Sequence, residues 1–275
     1  MSKVVLITGC STGIGRDLAQ RLSQSGYQVV ATARQVETLD ALQVALKLPL
    51  DVSLPDSVEA AVALTLERFG RIDVLVNNAG YAIRGTLEEA PLQLVQQMFE
   101  VNVFGALRMI RAVAPVMRKQ RAGQIINISS IAGKLSTPSN GTYSATKFAL
   151  EALSDALRLE LAPFGVAVVL VEPGAIKTCF DATALSHTEH VLSNPGSPYR
   201  PLYQKGAQFD ASMRNQEPGP EVVSAVIQQA IEAPKPKARY LAGVALPGRL
   251  VLRLRDFLWD AVLKRMFEFV PAEKA

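Results

Sequence analysis

Short apolar runs alternate along the chain with longer stretches in which apolar residues recur every three or four positions. The short runs predict β-strands, and the longer stretches predict amphipathic helices. We predict strands over residues 4–7, 29–33, 46–50, 72–76, 125–128, 166–171 and 239–242. We predict helices over residues 15–23, 36–45, 55–70, 91–119, 143–162 and 221–231.

The predicted strands are continuous apolar runs without polar alternation, which is typical of strands buried on both faces. Strands that alternate with helices predict right-handed crossovers and a parallel sheet with helices on both faces. This is the doubly wound α/β architecture of the Rossmann fold, which binds ligands at the carboxyl ends of its strands. Because no linker or repeat divides the sequence, we predict a single domain over residues 1–275.

Two parts of the chain depart from this alternation. Residues 179–220 are rich in proline and glycine among polar residues, and we predict an irregular substrate lid with a short helix near 184–193. Residues 245–275 predict an amphipathic C-terminal helix with a basic balance. That helix either packs on the domain or on a partner subunit, which we favour, or makes peripheral contact with an anionic membrane.

The composition is that of a globular protein, since 49% of the 275 residues are hydrophobic and 20% are charged. Residues 235–265 hold eight Lys or Arg and two Asp, so the net charge of +4 belongs to the tail and indicates no nucleic-acid partner. With two distant cysteines and no recognisable signal peptide or bilayer-length apolar stretch, we expect a cytoplasmic protein. His187 and His190 lack further ligands at suitable spacing, so we expect no metal site.

A glycine-rich segment follows the first predicted strand and opens the first predicted helix. Glycines let the backbone approach a pyrophosphate closely, and the helix N-terminus offers free N–H groups and a partial positive charge. A purely structural turn would also need glycines, but the strand–turn–helix context favours dinucleotide binding. We therefore assign cofactor contacts to Gly9, Ser11, Thr12, Gly13, Ile14 and Gly15.

The end of the second strand predicts which dinucleotide is bound. NAD binders carry an acidic residue there, which bonds the ribose 2′-hydroxyl. This sequence instead has Ala33 followed by Arg34. Because a guanidinium bonds phosphate oxygens bidentately, we predict NADP(H) as the cofactor. The alternative is that Arg34 is an ordinary surface arginine.

Several motifs at consistent mutual spacing resemble those of the short-chain dehydrogenase/reductase family. They are Thr8-Gly9-x-x-x-Gly13-x-Gly15, Asn77-Asn78-Ala79-Gly80, Asn102, Ser130, Tyr143-x-x-x-Lys147 and Pro173-Gly174 with Thr178. The resemblance implies that the catalytic residues are Asn102, Ser130, Tyr143 and Lys147. It implies that Lys147 bonds the nicotinamide ribose and that Asn102 positions a water in a proton relay. Further cofactor contacts are implied at Asp51, Val52, Asn78, Ala79, Gly80, Tyr143, Lys147, Pro173, Gly174, Ile176 and Thr178.

The catalytic residue types also suit proton transfer on their own chemistry. Tyr143 and Lys147 are four residues apart and share a helix face. A free phenol has a pKa near ~10, and a neighbouring ammonium is expected to lower it towards a useful range. Ser130 follows a strand and can donate to a carbonyl oxygen. Ser129 is the alternative, but the resemblance implies a serine thirteen residues before Tyr143, which is Ser130. The expected reaction passes hydride from NADPH to a carbonyl carbon and a proton from Tyr143 to its oxygen, or runs in reverse.

The attached part of the substrate is indicated only by resemblance. The sequence most resembles the branch with 17β-hydroxysteroid- and retinol-dehydrogenase-like members, which implies a bulky lipophilic alcohol or ketone. Lid residues that either line such a pocket or pack the lid on the domain are Phe180, Leu185, Leu192, Tyr199, Leu202, Tyr203 and Phe209. Two other functions stay open, a lyase or epimerase of the same fold and a non-catalytic NADP-binding sensor. The family also implies a homodimer or homotetramer formed through the helices at 91–119 and 143–162.

Overall fold

A computed structural model describes residues 2–213 and 217–244 of the chain. The strands are β1 Val4–Ile7, β2 Gln28–Ala33, β3 Leu46–Pro49, β4 Val74–Asn77, β5 Gly123–Ile128, β6 Val166–Pro173 and β7 Arg239–Ala242. They form one sheet in the order β3-β2-β1-β4-β5-β6-β7, and every neighbouring pair is parallel. The chain therefore winds outwards from β1 to β3 and then crosses back to β4, which leaves a crevice at the carboxyl ends of β1 and β4.

Helices cover both faces of this sheet. They are α1 Gly13–Gln24, α2 Pro55–Phe69, α3 Leu92–Phe99, α4 Ala106–Gln120, α5 Gly141–Leu161, α6 Phe180–Ser186, α7 Glu189–Leu192, α8 Arg200–Met213 and α9 Glu221–Glu232. Within the described ranges, each helix is too short or too polar to cross a membrane.

The side chains of β1 show how the core is divided between the two faces. Val5 and Ile7 pack in one cluster with α1 and α9, whereas Val4 and Leu6 pack in the other with α2 and α4. All four are at most 3% exposed. Because successive strand residues point to opposite faces, a continuous apolar run is what a strand between two helical layers requires. The predicted doubly wound α/β fold is confirmed.

The predicted helix over 36–45 is wrong beyond its first turn. A 3-10 turn covers Val36–Leu39, and no helix follows it before β3 begins at Leu46. Leu39 and Leu42 are buried, and their spacing of three suggested a helix face. The chain has to reach the start of β3 over a few residues, and an α-helix advances only about 1.5 Å per residue, less than half the advance of extended chain.

The predicted long helix over 91–119 is interrupted by a different geometry. Residues Glu100–Gly105 form a π-helical segment between α3 and α4. Such segments insert an extra residue into a helical turn and are frequent at functional sites. This one carries Asn102.

The lid is more ordered than predicted, since it contains α6, α7 and α8 where we expected irregular chain with one short helix. Several strands begin or end about two residues away from the predicted positions. For example, β6 was predicted to end at residue 171 and continues to Pro173. The predicted C-terminal helix over 245–275 lies outside the described residues.

Candidate active site

The glycine-rich loop between β1 and α1 packs too closely for side chains at two of its positions. Gly9 has a φ of 74°, and a Cβ there would lie 2.9 Å from the Cα of Ala79. A Cβ on Gly15 would lie 2.3 Å from the Gly9 carbonyl oxygen. Thr12 precedes α1 without capping it by its side chain, so the first N–H groups of the helix are left to face the crevice. This cradle fits a pyrophosphate.

The segment after β4 is tied directly to this loop. The Thr8 hydroxyl accepts hydrogen bonds from the backbone N–H groups of Asn78 and Ala79, at 3.0 and 2.9 Å. The Asn78 amide donates to the carbonyl oxygens of Thr8 and Gly9. The predicted cofactor residues of the two loops therefore form one rigid wall of the crevice, and Gly80 lies at its end, close to Asn102 Oδ1.

The residues predicted to bind the adenosine end of the cofactor lie at the carboxyl ends of β2 and β3. Arg34 is exposed directly after β2, and the N–H of Leu50 donates to the carbonyl of Ala33, which brings Asp51 to the same edge. The Asp51 carboxylate accepts hydrogen bonds from the N–H and hydroxyl of Ser53. Val52 is buried and packs closely against Gly105. A Cβ on Gly105 would lie 2.6 Å from Cγ2 of Val52.

Tyr143 and Ser130 come together at the carboxyl ends of β5 and β6. The Ser130 hydroxyl hydrogen-bonds Tyr143, and it also lies 3.5 Å from the Pro173 carbonyl oxygen. Ser129 points elsewhere: its hydroxyl is buried and has no hydrogen-bond partner within the described residues. A Cβ on Gly133 would lie 2.8 Å from that hydroxyl. The geometry therefore favours Ser130 over Ser129 as the partner of Tyr143.

The pKa of Tyr143 departs from the expectation. Burial raises the pKa of the phenol to about 12, although the Ser130 hydrogen bond and the charge of Arg84 both lower it. Lys147 Nζ lies 5.7 Å from the centroid of the Tyr143 ring and donates to the carbonyl of Ile128 at 2.8 Å. The expected lowering of the tyrosine pKa by this ammonium is therefore wrong for this structure, because the cost of burying a phenolate is larger.

Asn102 is fixed in place by its side chain. Its Nδ2 donates to the carbonyl of Tyr81 at 2.8 Å and to the hydroxyl of Thr146 at 3.1 Å, and its Oδ1 accepts from the N–H of Tyr81. A Cβ on Gly80 would lie 3.0 Å from Asn102 Oδ1 and 3.9 Å from Lys147 Nζ. The structure thus places the π-helical segment beside Lys147.

The segment after β6 closes the crevice from the opposite side. Gly174 donates its N–H to the carbonyl of Ala242, and Ile176 is buried. A Cβ on Gly13 would lie 3.5 Å from the side chain of Thr178, so that residue lies over the start of α1. The predicted residues from Pro173 to Thr178 therefore reach the glycine-rich loop.

Contacts between the lid and the segment after β4 were not predicted. Arg84 Nη2 lies 3.0 Å from Asp181 Oδ1, and the Arg84 N–H donates to the Thr188 hydroxyl. The Tyr203 hydroxyl donates to Glu89 at 2.6 Å. Arg84 and Asp181 are separated by 97 positions, and no motif spacing connects them.

The apolar lid residues differ in how far they are buried. The ring of Phe180 packs edge-on against Tyr143, with centroids 5.7 Å apart, and Leu202 and Tyr203 are buried. Leu185 and Phe209 are 37% and 43% exposed. Phe180, Leu192 and Tyr199 are half-buried.

Comparisons with known proteins agree with this geometry. The profile of the short chain dehydrogenase family matches residues 3–189. Human 17-beta-hydroxysteroid dehydrogenase type 1 is 37% identical over 289 aligned residues, which cover 98% of this chain and 88% of that protein. A Burkholderia phymatum short-chain dehydrogenase/reductase in complex with NAD is 31% identical with a TM-score of 0.77, covering 95% of both chains. An alcohol dehydrogenase of Thermococcus sibiricus complexed with 5-hydroxy-NADP is 28% identical with a TM-score of 0.72, covering 89% of this chain and 97% of that one.

The close packing of the glycine-rich loop predicts that cofactor binding requires glycine at position 15. In Gly15→Ala the new methyl group meets the Gly9 carbonyl, and relieving that overlap displaces the loop. Since overpacking typically costs ~1–3 kcal/mol, we expect NADPH binding to weaken about tenfold or more in a fluorescence titration. Gly206→Ala is the control, because its Cβ would meet nothing within 4 Å. An unchanged Kd for Gly15→Ala would contradict the requirement.

Proposed function

The chain belongs to the short-chain dehydrogenase/reductase family, and from that premise we propose that it is an NADP(H)-dependent oxidoreductase acting on a bulky lipophilic carbonyl compound or alcohol. The observation that carries the proposal is the meeting of Ser130, Tyr143 and Lys147 beside a glycine-rich loop shaped for a pyrophosphate. A sensor that only bound the cofactor would not need a phenol hydrogen-bonded to a serine at this place.

In reduction, Tyr143 is the acid that protonates the carbonyl oxygen. Its pKa of about 12 keeps the proton on the phenol at neutral pH, so the acid is present in its protonated form. Ser130 donates a hydrogen bond to the same oxygen and stabilises the negative charge that develops on it. NADPH supplies the hydride when bound. In oxidation Tyr143 accepts the alcohol proton instead, and Ser130 and Arg84 are the groups that favour its phenolate.

The cofactor would be held along the whole crevice. The loop of Gly9 to Gly15 would hold the pyrophosphate, and Arg34, Asp51 and Val52 would hold the adenosine end. Asn78, Ala79 and Gly80 would line the middle of the crevice. Lys147 would bond the nicotinamide ribose, and the segment from Pro173 to Thr178 would cover the nicotinamide.

The preference for NADP(H) rests on Arg34. Within the described residues no carboxylate forms an ion pair with it, and its charge opposes the rise that burial causes in the pKa of Tyr81. An uncompensated guanidinium at the end of β2 suits a 2′-phosphate.

The lipophilic substrate is supported by the surroundings of Tyr143. Its ring lies in an apolar cluster contributed by the segment after β4, by α3 and by the lid, whose members include Ala82, Ile83, Met98, Ala132, Ala184 and Phe180. Binding sites for small molecules are mostly apolar with a few polar groups that set orientation.

We further propose that copies of the chain associate through α4 and α5. Phe104, just before α4, is 48% exposed, and Leu159 on α5 is 77% exposed. We place the enzyme in the cytoplasm, a proposal supported by its free cysteines, Cys10 and Cys179.

Tyr143→Phe tests the reaction type. The variant keeps the ring but loses the proton, so we expect turnover to fall by at least about 100-fold, within the range typical of general acid catalysis, with NADPH affinity nearly unchanged. The assay follows absorbance at 340 nm with NADPH and a panel of steroid, retinoid and acyl ketones. Tyr27→Phe, which removes a hydroxyl that donates to Glu232 at 3.5 Å, is the control. Hydride turnover excludes the lyase and the sensor; near-normal kcat in Tyr143→Phe would refute the assignment.

Cofactor choice is tested separately at Arg34. We expect kcat/KM to favour NADPH over NADH, and Arg34→Ala to reduce that preference by about 10- to 100-fold, the worth of a hydrogen bond to a charged group. Arg68→Ala is the control, because it also removes one positive charge, from an arginine that stacks on Phe69. A wild-type preference for NADH would overturn the cofactor proposal; an unchanged NADPH preference in Arg34→Ala would overturn the residue assignment.

The pH dependence of reduction should report on Lys147. Burial lowers the pKa of Lys147 to about 8, so the ammonium is present below that pH and lost above it. We expect kcat/KM for NADPH-dependent reduction to fall as the pH rises through about 8, because the neutral amine no longer supports the cofactor and the developing charge. A profile that stays flat to pH 10 would contradict this role.

A further inference from the structure

Behind Tyr143 and Lys147 lies a group of charged side chains that the proposed reaction does not use. Lys134 follows the turn after Ser130, and Glu151, Glu172 and Arg239 belong to α5, β6 and β7. Lys134 Nζ lies 3.1 Å from Glu151 and 3.6 Å from Glu172, and Arg239 Nε lies 3.1 and 3.3 Å from the same carboxylates. We call these four residues the buried ion network, because its two carboxylates are 5% and 4% exposed.

Glu151 is the member of the network closest in sequence to the catalytic lysine. It lies four residues after Lys147 on α5, so the two side chains share a helix face. A Cβ on Gly133 would lie 3.1 Å from both Glu151 Cγ and the Lys147 carbonyl oxygen, so the turn after Ser130 packs against α5 between them. Burial lowers the pKa of Lys147, and the charge of Glu151 opposes that effect.

The negative charge of Glu151 is only partly neutralised by its partners. Lys134 and Arg239 both contact Oε2, whereas Oε1 is buried and has no hydrogen-bond partner in the described part of the chain. Farther along α5, Asp155 also forms an ion pair with Arg239, with 2.7 Å between Arg239 Nη2 and Asp155 Oδ2.

The charge of one network member depends on pH, and one further cation lies beside the network. Burial, with repulsion from Glu151, raises the pKa of Glu172 to about 7, against the attraction of Lys134 and Arg239. Arg158 pairs with Asp155 at 2.8 Å. Near neutral pH Glu172 holds its proton part of the time, and Glu151 is the carboxylate of the network that shares α5 with Lys147.

We propose that Glu151 is a positioning residue for the catalytic centre, whose buried carboxylate keeps Lys147 protonated while Lys134 limits the strength of that effect. The two residues thus act on the lysine with opposite signs. Neutralising Glu151 makes the ammonium easier to deprotonate, and neutralising Lys134 makes it harder.

The titration of Lys147 tests this without requiring turnover. The full-length protein is labelled with ¹³C at the lysine side chains, and the Lys147 resonance is assigned by its loss in Lys147→Arg. We expect the titration midpoint to move down by roughly half a pH unit or more in Glu151→Gln and up by a similar amount in Lys134→Gln. The double variant should return close to the wild-type midpoint.

A merely structural role would not produce opposite signs. If both single variants move the midpoint in the same direction, or neither moves it, the proposal is overturned. Asp155→Asn is the matched control, because it removes another carboxylate partner of Arg239 from the same helix two turns beyond Lys147, and it should leave the midpoint in place. If Glu151→Gln does not fold, Lys134→Gln decides alone, since Lys134 is 30% exposed and tolerant of change.

The kinetic measurement rests on the proposed function. With a reducible ketone, the alkaline limb of kcat/KM should move in each variant with the lysine midpoint, and Glu151→Asp should restore part of the shift of Glu151→Gln. If the alkaline limb of kcat/KM stays at the same pH in the variants while the titration midpoint of Lys147 moves, the link to catalysis is overturned. If no carbonyl compound is reduced by any variant, the proposed function is wrong, and the resonance of Lys147 still decides the relation between Glu151 and Lys147.

Discussion

Every strand of the sheet runs in the same direction, and the site depends on that constraint. Parallel pairing aligns the carboxyl ends of neighbouring strands, so residues far apart in sequence meet at one edge. Buried asparagines reinforce the alignment: Asn77 on β4 donates to Asn127 on β5 at 2.9 Å, and Asn127 donates to Ser154 on α5 at 2.8 Å. The sheet is thereby joined to the helix that carries Tyr143, so the tyrosine is fixed relative to the strand ends that carry its partners.

Burial moves the pKa values of Tyr143 and Lys147, the two ionisable residues of the proposed catalytic set, in opposite directions. Excluding water disfavours the charged form of each, which raises the pKa of Tyr143 to about 12 and lowers that of Lys147 to about 8. At neutral pH the phenol is therefore in its neutral form and can act as a proton donor. Groups outside the motif oppose burial: Arg84 acts on the tyrosine, and Glu151 acts on the lysine.

The sequence was sufficient for the parallel sheet and for both helical layers, because apolar periodicity depends on local chain geometry, and the family resemblance implied that Ser130 acts together with Tyr143. Sequence-based prediction failed where a long-range requirement overrides local pattern. The segment 40–45 stays non-helical because β3 has to begin nearby, and the π-helical turn at Asn102 has no periodic signature. The pKa of Tyr143 was expected to fall because the neighbouring charge was visible in the sequence, whereas the depth of burial was not.

Reaction type and substrate choice are carried by different parts of the molecule. The residues proposed to react lie on strand ends and on α5, where motif spacing points to them, whereas the lid is attached by contacts such as Tyr203 to Glu89 across 114 positions. Asp181 raises the pKa of Tyr143, and its partner Arg84 lowers it. Because this ion pair joins the lid to the segment after β4, the fit of the lid and the proton affinity of the tyrosine are coupled. In the reaction proposed above, a substrate that displaced α6 would also move Asp181 relative to Tyr143, so the lid would bear on the protonation step as well as on binding.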